Sequence, residues 1–312
     1  MEFKHTSVLL DEVIENLNIK PDGIYLDGTL GGGGHSYHIA ERLTQGGRLI
    51  GTDQDADAIA AATKRLEPFA DRVTIIRDNY ENAARRVREL GIDGVDGILL
   101  DLGVSSYQLD NPDRGFSFAK SGPLDMRMNP DDGETAADLV NNLPKEELEK
   151  IIYEFGEERF GRKIAEAIVK YREAKPFETT DELAKVICDV VPSVPRNQKH
   201  IHPATRTFQA LRIAVNHELD EISDFLNICL DCLNSGGHLT IISFHSLEDR
   251  LVKNFIQKNS KGCECPPQFP VCVCGKKPRI KVLTKKAVFA EEDEVKLNPR
   301  ARSARLRSVV KI

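Results

Sequence analysis

An alternation in the first hundred residues constrains the fold more than any other feature. Short apolar runs, GIYLDG (23–28), RLIGTDQD (48–55), RVTIIRDN (72–79) and GILLDLG (97–103), are separated by stretches with apolar residues at helical spacing: HSYHIAERL (35–43), DADAIAAATKRL (55–66) and ENAARRVREL (81–90). Continuous apolar runs suit strands buried on both faces. Strands that alternate with helices pair in parallel, because each helix carries the chain back to the starting edge. The expectation is an α/β fold, a parallel sheet with helices on both faces. Asp55 is placed to cap the second helix.

The alternation stops between about Ser105 and His202. Residues 105–135 read as loop, with Pro112, Gly115, Gly122, Pro123, Pro130 and Gly133. TAADLVNNL, KEELEKIIYEFG, GRKIAEAIVKYREA and TTDELAKVICDVV then read as helices, the last opening near Thr180. A strand-free stretch of this length predicts an inserted helical domain, 112–206, inside a core formed by 1–111 and 207–312. Beyond it, 204–233 reads as one long amphipathic helix ended by Gly236-Gly237. HLTIISFHS (238–246) reads as a strand and SLEDRLVKNFIQK (246–258) as a helix. RIKVLT (279–284) and RLRSVVKI (305–312) read as a terminal, hairpin-like pair.

No apolar stretch approaches the ~20 residues of a membrane span. MEFKHTSVLLDEV at the N-terminus lacks the apolar run of a signal peptide, so a cytoplasmic protein with no membrane partner is expected. Cysteines number seven, and Cys188, Cys229 and Cys232 lie in helix-like or apolar surroundings, which argues against a disulfide framework. The net charge of −6 is unevenly spread: residues 275–312 hold 12 Lys/Arg against 4 Asp/Glu. A basic C-terminal face and a solvated surface with no partner are both compatible with that.

Four glycines, Gly31–Gly34, sit between the first strand and the first crossover helix, where backbone N–H groups can face a ligand. Asp53 ends the next strand, where a carboxylate meets ribose hydroxyls. The run breaks the G-x-G-x-x-G dinucleotide pattern at Leu30 or at Ser36, depending on where it is started. Asp27 just before it would repel a pyrophosphate. A cationic, phosphate-free nucleoside fits better, and S-adenosylmethionine is such a molecule. Tyr80 after the third strand could lie on adenine, and Asp101 ends the fourth. Taken singly, Asp53 reads as a cap and Tyr80 as a core residue; in order along four strand ends they form a cofactor constellation. A nicotinamide-dependent oxidoreductase is disfavoured by the broken glycine pattern. A non-catalytic RNA-binding assembly factor is disfavoured by the complete constellation.

HTSVLLDEV (5–13), DGTLGGGGHS (27–36), DQD (53–55), GILLDLGVSSYQLDNPDRGFSF (97–118), PLDMRM (123–128), HPATRTFQALRIAVNHEL (202–219), SFHSLEDR (243–250) and NPRARSARLR (298–307) together resemble the RsmH (MraW) family of bacterial ribosomal RNA methyltransferases. The resemblance implies N4-methylation of one cytidine in the decoding region of small-subunit (16S) rRNA, with S-adenosylmethionine as methyl donor. It also implies a Rossmann-like class I methyltransferase core, a parallel sheet with a reversed C-terminal strand, and an inserted helical domain for RNA recognition. Family cofactor contacts fall on Gly33, Gly34, His35, Asp53, Tyr80, Asp101 and Gln108, and a family loop on Ser105 and Ser106. Amino-methyltransferases commonly carry Asp/Asn/Ser-Pro-Pro-aromatic after the fourth strand. DLGVSSYQ lacks its Pro-Pro-aromatic part, which leaves Asp101 and the carbonyls of 101–106 as candidate acceptors for the amine hydrogens, with Asp101 the candidate catalytic residue.

The expected partner is small-subunit rRNA or the assembled subunit; the oligomeric state is not legible. Arg114, Phe116, Arg127 and Met128 are candidates for presenting the base. Lys276, Lys277, Arg279 and the arginines of 298–307 are candidates for phosphates, with Arg196, Lys199, Arg206 and Arg212 adding positive charge. His245 could contact the base or cap the following helix. In CECPPQFPVCVCG (263–275), the thiolates of Cys263, Cys265, Cys272 and Cys274 could enclose a structural zinc, or could remain thiols or form a redox-sensitive pair.

Overall fold

The computed structural model describes residues 7–191, 202–263, 265–266, 268–271 and 273–312. The chain divides into two compact units, residues 1–103 with 219–312, and residues 104–218.

The first stretch contains α1 (Leu10–Leu17), β1 (Ile24–Asp27), α2 (Gly34–Ala40), β2 (Arg48–Asp53), α3 (Ala56–Leu66), β3 (Val73–Arg77), α4 (Ala83–Glu89) and β4 (Val95–Asp101). The alternation of the sequence is thus the alternation of the fold. Asp55 caps α3 by accepting the N–H of Asp57.

The inserted unit carries α5 (Ser106–Asp110), a 3₁₀ turn (Pro112–Arg114), α6 (Ala136–Asn142), α7 (Lys145–Gly156), α8 (Gly161–Arg172), α9 (Thr180–Val190) and α10 (Thr205–Val215). Its own core contains Phe116, Met126, Leu148, Ile152, Ile164, Phe177, Ile187 and Leu211. It begins at Val104 rather than 112 and ends at Glu218 rather than 206. The reason is packing: Val104 and Leu109 before the expected start, and Phe208 and Leu211 after the expected end, belong to this helical core. The segment read as loop also holds α5, closed by a capping box between Ser105 and Gln108. In α9 the cap is Thr179, whose partner in the box is Glu182.

The chain then returns through α11 (Glu218–Cys232), β5 (Leu233–Ser243), α12 (Ser246–Ser260), β6 (Ile280–Val282), α13 (Glu292–Leu297) and β7 (Arg305–Lys311). Residues 204–233 are therefore two helices, not one. Asn216 makes the break: its amide donates to the carbonyls of Met126 and Arg212 and accepts the N–H of Met128, while His217 takes a left-handed φ of 50°. Gly236 and Gly237 lie within β5 instead of ending a helix, at an irregularity where the register against β4 shifts.

The strands form one sheet in the order β3-β2-β1-β4-β5-β7-β6. β1 to β5 pair in parallel; β7 runs antiparallel to both β5 and β6. The reversed C-terminal strand and the late strand pair are as expected. Alternate residues feed two separate apolar clusters. Leu26, Ile50, Ile98, Leu100 and Ile241 join one, and Tyr25, Leu49, Leu99 and Ile242 the other. Burial on both faces is what makes these strands continuous apolar runs, and each such side chain contributes about 1.5–3 kcal/mol.

Candidate active site

The glycine loop is pinned where β1 meets its neighbours. Gly28 N–H donates to the Leu99 carbonyl on β4 (2.9 Å) and Leu30 N–H to the Thr52 carbonyl on β2 (3.0 Å). Thr52 Oγ1 donates to the Gly28 carbonyl (3.0 Å). Gly31 N–H reaches Asp53 Oδ2 (2.8 Å), and Asp55 N–H reaches Asp53 Oδ1 (2.9 Å). Asp53 thus ties the loop to the end of β2. Each carboxylate oxygen has a second lone pair, so the group can still accept from a ribose hydroxyl. Burial pushes its pKa up to about 6, against the lowering effect of the Asp55 and Gly31 N–H groups.

The four glycines have different causes. Gly31 and Gly33 take left-handed φ of 49° and 74°, a region that costs other residues about 1–2 kcal/mol. A Cβ on Gly34 would strike Ser7 Oγ, and one on Gly28 would strike Leu100 Cδ2. Among the described residues, Gly32 alone of the run has nothing within 4 Å of such a Cβ. Part of the run is therefore required by the chain itself, and Gly32 is the position open to a ligand.

Asp27 has a different role from the one its sequence position suggests. It is buried, accepts from Ser36 Oγ (2.6 Å) and from Thr29 N–H (3.1 Å), and so fastens α2 to β1. Burial raises its pKa. Asp101 ends β4; its N–H donates to Thr29 Oγ1 (2.6 Å) and its Oδ2 lies 3.5 Å from Nε2 of the buried His35. Among the described residues, Asp101 Oδ1 and His35 Nδ1 have no hydrogen-bond partner although both are buried. Such atoms cost about 1–3 kcal/mol each unless a ligand meets them.

These features fit a nucleoside cofactor with a cationic group. Open space at Gly32, spare lone pairs on Asp53 and unmatched atoms on Asp101 and His35 gather at the C-terminal ends of β1, β2 and β4, where doubly wound sheets bind ligands. Tyr80 opens the 3₁₀ turn after β3, half-buried, with its ring edge-on to Phe225 at 5.8 Å. Gln108 belongs to the inserted unit, where its Oε1 accepts Ser105 N–H (2.9 Å).

Several candidates for RNA contact are used internally. Arg114 is buried and donates to the carbonyls of Arg127 and Met128 (2.9 and 3.0 Å). Arg127 pairs with Asp125 (2.7 Å), and Phe116 and Met128 are core residues of the inserted unit. Arg212 forms a two-pronged pair with the buried Glu218 (2.7 and 2.8 Å). Arg196, Lys199 and Cys272 lie outside the described residues. His245 caps α12: its ring accepts Glu248 N–H, while Glu248 Oε2 accepts the N–H groups of Phe244 and His245. Thr29 and Ser36 were missed in the sequence. Both are small hydroxyls inside DGTLGGGGHS, and their spacing from Asp27 is the signal that could have found them.

A family model described as the MraW methylase family matches residues 2–312. A relative from Carboxydothermus hydrogenoformans, named ribosomal RNA small subunit methyltransferase H, is 54% identical over 312 residues, covering 100% of this chain and 99% of its own. One of the same name from Lachnospira eligens is 56% identical over 307 residues, covering 98% of this chain and 97% of its own. A match that runs through both units, with more than half of the residues shared with these relatives, makes this chain a member of the MraW methylase family.

Proposed function

We propose that the protein methylates small-subunit ribosomal RNA, transferring the methyl group of S-adenosylmethionine to N4 of one cytidine in the decoding region. The observation that carries the chemistry is the pairing of Asp101 and His35 beside the glycine loop, each with a buried polar atom left unmatched. The relatives' names support the RNA substrate. The cytidine and its N4 rest on the sequence resemblance.

S-adenosylmethionine supplies, when bound, a sulfonium methyl as electrophile. The residues of this chain have two tasks. Asp53, Gly32 and the loop they border hold the donor's nucleoside end. Asp101 handles the amine, which is a poor nucleophile because its lone pair is delocalised into the ring. An acceptor on its N–H groups favours a pyramidal nitrogen, and fixing it at near-attack distance supplies much of the rate. Asp101 Oδ1 is the unmatched acceptor, its backbone clamped by Thr29 and its other oxygen facing His35. Methyl transfer would break the donor's S–C bond, leaving a neutral thioether, and Asp101 Oδ1 would take the proton that the newly methylated nitrogen gives up. The target base leaves its stack to reach such a group. RNA recognition by the inserted unit is part of the same proposal.

The test uses radiolabelled S-adenosylmethionine with naked small-subunit RNA and with unmethylated small subunits, and locates label by nuclease mapping. Label at one cytidine N4 is the expected result. Bound donor without label on either substrate would leave an assembly factor. Asp101→Ala is expected to lower single-turnover methyl transfer at saturating donor by about 10²–10⁴-fold; an unchanged rate would remove Asp101 from the chemistry.

A further inference from the structure

The connection between α12 and β6, residues 261–279, has no regular secondary structure among its described residues. It exceeds the ~12–15 residues usual for such loops in compact domains. Its base is pinched: Arg279 N–H donates to the Asn259 carbonyl (2.8 Å), and Gly262 faces Pro278. Its described apolar residues are not buried: Phe269, Val271 and Val273 are 50%, 68% and 69% exposed.

Three thiols do gather there. The sulfurs of Cys263, Cys265 and Cys274 all lie within 4.8 Å of one another, and those of Cys263 and Cys274 are 3.8 Å apart. A disulfide would bring two of them to about 2.05 Å. Sulfurs about 2.3 Å from a tetrahedral zinc lie about 3.8 Å from each other. Backbone N–H groups also point at sulfur: Cys265 N–H at Cys263 Sγ and Val273 N–H at Cys265 Sγ, both 3.4 Å. Neutral thiols are weak acceptors, whereas a thiolate is a good one.

The buried cysteines of α11 show the opposite arrangement. Cys229 and Cys232 donate their S–H groups to the carbonyls of Leu226 and Cys229, and burial pushes both thiols up, Cys232 to about 11.

We propose that Cys263, Cys265 and Cys274 bind one divalent zinc ion that staples the loop between α12 and β6. Binding replaces three S–H protons by three zinc–sulfur bonds and releases the protons to solvent, with no change of oxidation state. The site is structural and separate from the glycine loop. Three soft thiolates select zinc over magnesium or calcium, which take oxygen ligands.

Elemental analysis of full-length protein purified without chelator is the first test. It should find about one zinc per chain, retained in Cys229→Ser and lost in Cys263→Ser and Cys274→Ser. Because the serine variants could misfold, wild-type protein stripped by chelator is the second. Protease cleavage within 261–279 should appear on stripping and vanish when zinc chloride is added back. Cobalt in place of zinc should give sulfur-to-metal charge-transfer bands. Zinc well below one per chain with every thiol open to titration, zinc retained in both serine variants, or a mass deficit of two hydrogens marking a disulfide would each overturn the proposal.

Discussion

At the scale of single residues, the glycine loop separates what the chain needs from what a ligand needs. Gly33→Ala puts a Cβ into a left-handed position 3.3 Å from Ala62. It should cost about 1–2 kcal/mol of stability in urea denaturation. Gly32→Ala meets no atom of the described residues and should leave stability within about 0.5 kcal/mol, yet weaken S-adenosylmethionine binding in calorimetry. Equal effects of the two changes on stability would contradict the assignment. Asp53 gives a pH signature. Its folded pKa of about 6 lies above the ordinary carboxylate value, so its ionisation opposes folding, and that part of stability falls as pH rises towards and through 6. On the proposed reading donor binding runs the other way, because ribose hydroxyls bond more strongly to an ionised carboxylate. Affinity should rise by up to about tenfold per pH unit below 6, level off above it, and lose this dependence in Asp53→Asn. The carboxylates at the strand ends were legible because strand ends are marked by where apolar runs stop. The role of Asp27 was not, since a buried acid held by a hydroxyl nine positions on looks like any acid before a loop.

At the scale of elements, buried strands announce themselves and breaks in amphipathic patterns do not. The parallel strands were readable because both faces are apolar. The division between α10 and α11 was not, because the helical spacing runs straight through Asn216 and His217. Its cause is tertiary: the Asn216 side chain exchanges three hydrogen bonds with the backbone of Met126, Met128 and Arg212. Asn216→Ala should leave buried backbone groups unpaired and cost about 2–4 kcal/mol, read as a shift in the urea midpoint at unchanged slope. A change within experimental error would mean that the break is set by His217 alone. Capping followed the same rule. Asp55 was identifiable as a cap, whereas the helix after Ser105 is too short to show a period and is held by its capping box.

At the scale of the whole molecule, charge is unevenly spread along the chain, with 12 Lys/Arg against 4 Asp/Glu in residues 275–312. The basic stretch 275–312 suits phosphates, and RNA affinity should fall steeply with salt. Replacing Arg300, Arg302 and Arg305 by alanine should lower the slope of log K against log salt by about 2. The full value for three charges is not expected, because Arg305 lies 3.6 Å from Asp249. An unchanged slope in filter binding would place the RNA elsewhere. The order of strands carries a consequence for how the molecule is made. Ser243 of β5 pairs with Arg305 of β7, so β5 waits for sixty-odd residues of further synthesis before its partner exists. The inserted unit is one continuous segment and can pack as it leaves the ribosome, whereas β5 stays unpaired on its β7 side until residues 305–311 are made. An unpaired edge is an invitation to wrong partners. Early termination anywhere after β5 would therefore yield not a shorter enzyme but a sticky one, and nascent-chain chaperones have their clearest target in that interval.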